Sequence, residues 1–219
     1  MHHNAPKPPN LAKHIGGKVN KTTHLVAQTK LVRVYSQPAG VARRDTAFNP
    51  LSNGRASPVV DAVGRADPAM YVAVDSPQGA AMEMLHHAFI KQYPMGAVVS
   101  RAKFADIRLA YLKLQVPVDL ISVEALQNQQ VLAPATFSAP RSDYTDTQAV
   151  AQQLYDLCPQ AAGIAWHSAR GNSVVAALYQ SRLPKNALKV VGKPVALLDS
   201  EVCDFVLALL GHHNIIVQY

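Results

Sequence analysis

Apolar runs of strand length, set between turn-forming residues and broken by only a few helical stretches, constrain this chain more than any other feature. Residues 31–35, 69–74, 97–101, 107–116, 120–123, 163–167, 174–179 and 214–217 each read as a strand. Three stretches carry helical signals instead. One runs from Ser76 to about Gln92, with Ser76 as N-cap and Pro77 at the first helical position, where its missing N–H costs nothing. A second spans 147–157 with Asp146 able to cap it, and a third spans 200–210 and is stopped by Gly211. Strands and helices interleave without a regular strand–helix–strand period and without an internal repeat. The expected fold is therefore a single α+β (mixed α/β) domain built on a central mixed sheet. At 49% hydrophobic and 16% charged residues the chain can bury a core, which excludes wholesale disorder. No apolar run approaches the roughly 18 residues that span a bilayer.

Charge divides the chain unevenly. Eight of the 21 Lys and Arg side chains precede Asp45, the first acidic residue, so the rest is close to neutral. Residues 1–29, broken by Pro6, Pro8, Pro9 and the Gly16-Gly17 pair, read as a basic N-terminal arm that packs on the body or on a partner. Residues 30–219 read as the folded domain. Gly16-Gly17-Lys18 lacks the earlier Gly and the following Ser or Thr of a phosphate-binding loop. The excess of positive charge leaves a binding class open, in which the arm grips nucleic acid or an acidic partner. Two cysteines, Cys158 and Cys203, neither staple a domain of this size nor form a zinc motif, so a reducing, cytoplasmic setting without metal is expected. The segment 37–68, rich in Gly, Pro, Asn and Arg, is long for a loop in a compact domain, and such loops are usually functional.

Four side chains stand out against their surroundings. Glu83 interrupts a largely apolar helix, a costly place for a carboxylate unless it faces water, pairs with His87 one turn on, or serves chemistry. The spacing Glu83-x-x-His86 is half of a di-iron motif, but the chain has no second copy. Ser168 follows a strand and precedes a Gly171-Asn172 turn, yet Trp166 and Arg170 replace the glycines of a nucleophile elbow. His167 points away from it, so Ser168 reads as a positioning hydroxyl. Arg33 lies inside an apolar strand, where it needs a carboxylate or an anion, and Arg55 follows Gly54 in the long loop. Adjacent histidines at 2–3, 86–87 and 212–213 point in different directions and make no chelate.

In order and context these residues resemble the RES-domain family, named after an Arg, a Glu and a Ser. The resemblance rests on Arg33 within Leu31-Val32-Arg33-Val34-Tyr35, on Gly54-Arg55, and on the strand-and-helix unit from Met70-Tyr71 through Ser76-Pro77 to Glu83. It also rests on the helix beginning Thr147-Gln148 and on Gly163-Ile164-Ala165-Trp166-His167-Ser168-Ala169-Arg170. It covers most of the body, from about Leu31 to Tyr179. After Arg55 the family has an aromatic residue and Asn, where this chain has Ala56 and Ser57. The resemblance implies an ADP-ribosyltransferase-like fold and a toxin of a bacterial toxin–antitoxin pair. Such a toxin consumes NAD+ by phosphorolysis or hydrolysis, or transfers ADP-ribose to a protein. NAD+ is then the substrate, with phosphate as one acceptor and no metal. The implied partner is a helix-turn-helix, Xre-like antitoxin, with DNA reached only through it, no membrane, and a homodimer left open. It further implies that Glu83 stabilises an oxocarbenium-like ribose and that Arg33 and Arg55 clamp the diphosphate. Tyr71 would offer an aromatic face, and Ser168 would hold the nicotinamide ribose or carboxamide.

Overall fold

The computed structural model describes Leu11 and residues 22–38, 40, 45–49, 54–88, 90–133, 135–138, 144–168 and 173–219. Eight strands form the main sheet: β1 (Thr22–Leu25), β2 (Lys30–Ser36), β5 (Ala69–Val74), β7 (Ile107–Leu114), β8 (Val118–Ser122), β9 (Gly163–His167), β10 (Val174–Tyr179) and β11 (Leu188–Ala196). Their order is β1-β8-β9-β10-β5-β2-β7-β11. β8 and β9 run parallel and all other neighbours antiparallel. Two small pairs stand apart, β3 (Val59–Val60) with β4 (Ala66–Asp67), and β6 (Val98–Ser100) with β12 (Ile216–Gln218). The helices are α1 (Pro77–Ala88), α2 (Val123–Asn128), α3 (Ala135–Ser138), α4 (Thr145–Leu157) and α5 (Cys203–His212). The protein is thus a mixed α+β domain.

Strand alternation sends apolar side chains to both faces of the sheet. On one face Val32, Ala73, Val175 and Trp166 form a row across four strands and meet Ala81 and Leu85 of α1, Val150 and Leu154 of α4, and Val206 and Leu210 of α5. The other face is closed by the strands themselves. Leu25 and Leu120 from one end of the sheet share a core with Leu112 and Leu114 from the other, around Met70, Val72 and Leu178. The sheet therefore curls until its ends touch. Gln28, at φ 74°, turns the chain between β1 and β2 and donates its N–H to Leu114 O at 2.8 Å.

A seam runs through the middle of this sheet. β2 and β5 are paired only at Leu31–Val74 and Val32–Ala73, beyond which β2 continues against β7 and β5 against β10. Residues 45–49 bridge the opening. Asn49 exchanges backbone hydrogen bonds with Ala69 on the β5 side, and Arg33 on the β2 side donates to the carbonyls of Asp45 and Ala47.

Several expectations are corrected. Thr22–Leu25, read as part of the arm, is an edge strand paired to β8, and Leu11 is fully buried with its N–H on Gln153 Oε1. The remaining arm residues lie outside the described ones. The run 107–116 ends as a strand at Leu114, and the polar stretch after β8 contains α2, capped by the Ser122 hydroxyl on Ala125 N–H. α1 ends at Ala88 and is followed by a 3-10 turn, Ile90–Gln92. Asp146 lies inside the first turn of α4 and Tyr144 takes the cap position. α5 runs through Gly211 and stops at His213, after which Asn214 takes the left-handed conformation at φ 53°. β11 was not foreseen: Lys189, Gly192, Lys193 and Pro194 hide its alternation, and they blunt an exposed edge.

Candidate functional site

α1 brings Glu83 to the end of β9. Ser76 Oγ accepts the Gly79 N–H at 3.0 Å, which starts the helix where the sequence placed it. Gly79 and Glu83 are four residues apart and share one helical edge. A Cβ on Gly79 would sit 2.3 Å from Ser173 Oγ, so only glycine lets the helix come this close to the foot of β10. Ser168 and Ser173 close the β9–β10 connection through Ser168 N–H donating to Ser173 O at 2.9 Å. One turn along the helix, Ser168 Oγ donates to Glu83 Oε1 at 2.6 Å. The serine is 4% exposed and the glutamate half-buried. A short hydroxyl–carboxylate bond of this kind orients the carboxylate. His167 points outward, its Nε2 3.0 Å from Glu124 Oε2 on α2. Arg170 and the His87 side chain lie outside what is described.

Tyr71 and Arg55 form a second group. Tyr71 and Trp166 project from the α1 face of the sheet, their rings edge to face at 6.0 Å, so Trp166 lies between Tyr71 and Ser168. The Tyr71 hydroxyl accepts the Ala56 N–H at 3.0 Å and lies 2.9 Å from Ser57 Oγ. A Cβ at Gly54 would fall 2.3 Å from that same oxygen. Residues 54–57 make a tight turn with Arg55 and Ala56 at its centre. Tyr179 OH donates to Ala56 O at 2.9 Å, and its burial pushes the phenol well above the usual range, which keeps it a donor. The Arg55 guanidinium stacks over Tyr144 at 5.1 Å and the residue is 4% exposed.

Arg33 stands at the seam on the opposite lip. Its pleat position is shared with Leu31, whereas Val32 and Val34 take the α1 face. The guanidinium donates to Asp45 O at 3.2 Å and to Ala47 O and lies 5.1 Å from the Tyr35 ring, and the Asp45 carboxylate acts on it electrostatically. Burial lowers its pKa to about 10, which still leaves it charged at neutral pH. Glu83 and Ser168 are thus in direct contact, Arg55 and Tyr71 are joined through Ala56, and Arg33 holds the strap across the seam. Sequence reading missed Trp166 as more than a flank of Ser168. Its ring packs between those of Tyr71 and Phe137, and its buried Nε1 has no hydrogen-bond partner among the described residues. Among the described residues no three His, Cys, Asp or Glu side chains gather as a metal site would. No helix among them is long and apolar enough to cross a membrane.

This arrangement can be set beside known proteins. The overall fold is similar to that of a chain in the crystal structure of the M. tuberculosis MbcT–MbcA toxin–antitoxin complex. The TM-score is 0.56 at 15% sequence identity, covering 93% of this chain and 96% of that one. A search of curated protein sequences gave no match. The model of the RES domain matches residues 30–198, which take in β2 with Arg33, the turn at Arg55, α1 with Glu83 and the end of β9 at Ser168. On a match of that extent, the chain belongs to the RES-domain family.

Proposed function

We propose that this protein is the toxin of a toxin–antitoxin pair and acts by breaking the nicotinamide–ribose bond of NAD+. The observation that carries the reading is the Ser168–Glu83 hydrogen bond, which joins residues 85 positions apart, from the middle of a helix to the end of a strand. A carboxylate locked in one rotamer beside a sugar stabilises positive charge that exists only in the transition state. In the proposed reaction the C–N glycosidic bond breaks and its electron pair leaves with neutral nicotinamide. The ribose passes through an oxocarbenium-like state facing Glu83, and an oxygen of phosphate or water then bonds to the same carbon. A water nucleophile gives its proton to solvent. Arg55 supplies a guanidinium group to the diphosphate, Tyr71 an aromatic face, and Ser168 the orientation of Glu83, while Arg33, on the opposite pleat, holds the 45–49 strap that borders the site. The partner is a cognate antitoxin that covers this site, and the fold neighbour's place in a toxin–antitoxin complex supports that part of the reading.

The test is incubation of the purified protein with NAD+, with and without inorganic phosphate, and product analysis by mass spectrometry. ADP-ribose 1″-phosphate formed only with phosphate identifies a phosphorylase, and ADP-ribose without it a hydrolase. Label transferred from NAD+ to a protein redirects the reading to a protein acceptor. Glu83→Ala is expected to abolish turnover with an unchanged circular dichroism spectrum, and full activity in that variant would sink the mechanism.

A further inference from the structure

The turn that carries Arg55 belongs to no sheet ladder of the main fold. Its backbone is held by side chains instead: Tyr71 and Tyr179 bond Ala56 from the sheet, and a helix bonds the carbonyls on either side. On α4, Gln148 Nε2 donates to Gly54 O at 3.1 Å and to Ser57 O at 3.0 Å. One turn further on, Gln152 accepts the Val60 N–H at 2.8 Å and donates to Val60 O at 3.0 Å. Residues 148 and 152 share one edge of the helix. Their side-chain amides do for the 54–60 segment what a neighbouring strand would do, supplying donors and an acceptor at main-chain spacing. Tyr144, over which Arg55 stacks, lies one turn before Gln148 along the same edge. The two carbonyls that Gln148 bonds flank Arg55 and Ala56 on both sides. We infer that Gln148 is the positioning residue of Arg55, fixing the turn so that the guanidinium is presented in one orientation to an anionic group of the substrate.

The inference rests on the proposed NAD+ reading for the identity of that group, a diphosphate, and on the hydrogen bonds alone for the clamp. An arginine in a preformed orientation binds phosphate oxygens in bidentate fashion, and a loosened one loses that geometry before it loses its charge. The consequence falls on substrate binding rather than on bond breaking.

Gln148→Met, close in length but without donors, is to be compared with Gln152→Met, which removes the hydrogen bonds to Val60 and Asp156 from the same edge. Gln148→Met is expected to raise KM for NAD+ about tenfold with kcat within about twofold, and to quicken amide exchange of residues 54–57 about tenfold. Gln152→Met is expected to leave KM unchanged. In an Arg55→Ala background Gln148→Met is expected to add nothing further, because its effect runs through the residue already removed. Additive effects in that background, equal effects of the two glutamine variants, or unchanged exchange at 54–57 would each overturn the inference. Should Gln148→Met fail to fold, Gln148→Asn, too short to reach both carbonyls, gives the same readouts. A wild-type chain that leaves NAD+ intact overturns the proposed function instead. The exchange measurement then decides alone: faster exchange upholds the clamp on Arg55 and unchanged exchange removes it.

Discussion

Ser168 and Glu83 show how much a single side-chain contact specifies. The hydroxyl is buried, its own N–H closes the hairpin, and its Oγ ends on the carboxylate at 2.6 Å, so neither group has rotational freedom to spare. Ser168→Ala removes the donor while keeping the backbone bond. We expect it to cut NAD+ turnover by about tenfold with no change in circular dichroism, a smaller loss than removing a group that meets the transition state itself. Unaltered turnover would show that Glu83 needs no orientation from Ser168. Arg33 and Glu83 stood out in the sequence as charged residues set where apolar ones are expected, and Ser168 as a hydroxyl between a strand and a Gly-Asn turn. Their partners were not legible. Arg33 bonds two main-chain carbonyls, and a carbonyl leaves no trace in residue type. Gln148 reads as an ordinary helix residue until the turn it holds is placed beside it.

Among elements, α1 is the one whose position decides the site, and Gly79 is what allows that position. Gly79→Ala would drive a Cβ to 2.3 Å from Ser173 Oγ, 2.8 Å from Ser173 Cβ and 2.9 Å from Ser76 Oγ. The expected cost is about 1–3 kcal/mol in urea unfolding, with Ser173→Gly restoring part of it. A variant as stable as wild type would mean that the helix can shift without penalty. The strands and α1 could be read from the sequence because their apolar runs are long and their caps explicit. β1 and β11 could not be: each lies at an edge, with polar or turn-forming residues on much of its length, and takes its strand character from the neighbour it pairs with. α2 escaped for a different reason. At six residues it is too short to show a period, and only the Ser122 cap announces it.

Across the whole molecule the chain's first strand is tied into the curl. Leu25 is 6% exposed and Leu11 fully buried, and Gln28 links the start of the sheet to Leu114 near its far end. Deletion of residues 1–29 is therefore expected to do more than remove charge. It uncovers the edge of β8 and takes two leucines from the core, lowering stability by roughly 3 kcal/mol or more. Calorimetry of the truncated protein checks this, and an unchanged melting temperature would mean that the segment rides on a body stable without it. The central strands are enclosed on both sides, by helices over Val32, Ala73 and Val175 and by other strands over Leu31, Val72 and Leu178. A sheet without an outer side has few positions that can drift one at a time. A methyl group lost at Ala73 or Val175 is best regained across the row at Val32 or Trp166, because contacting core positions couple through shared volume. Such bookkeeping of volume lets one backbone path accept very different residues, provided that they change together.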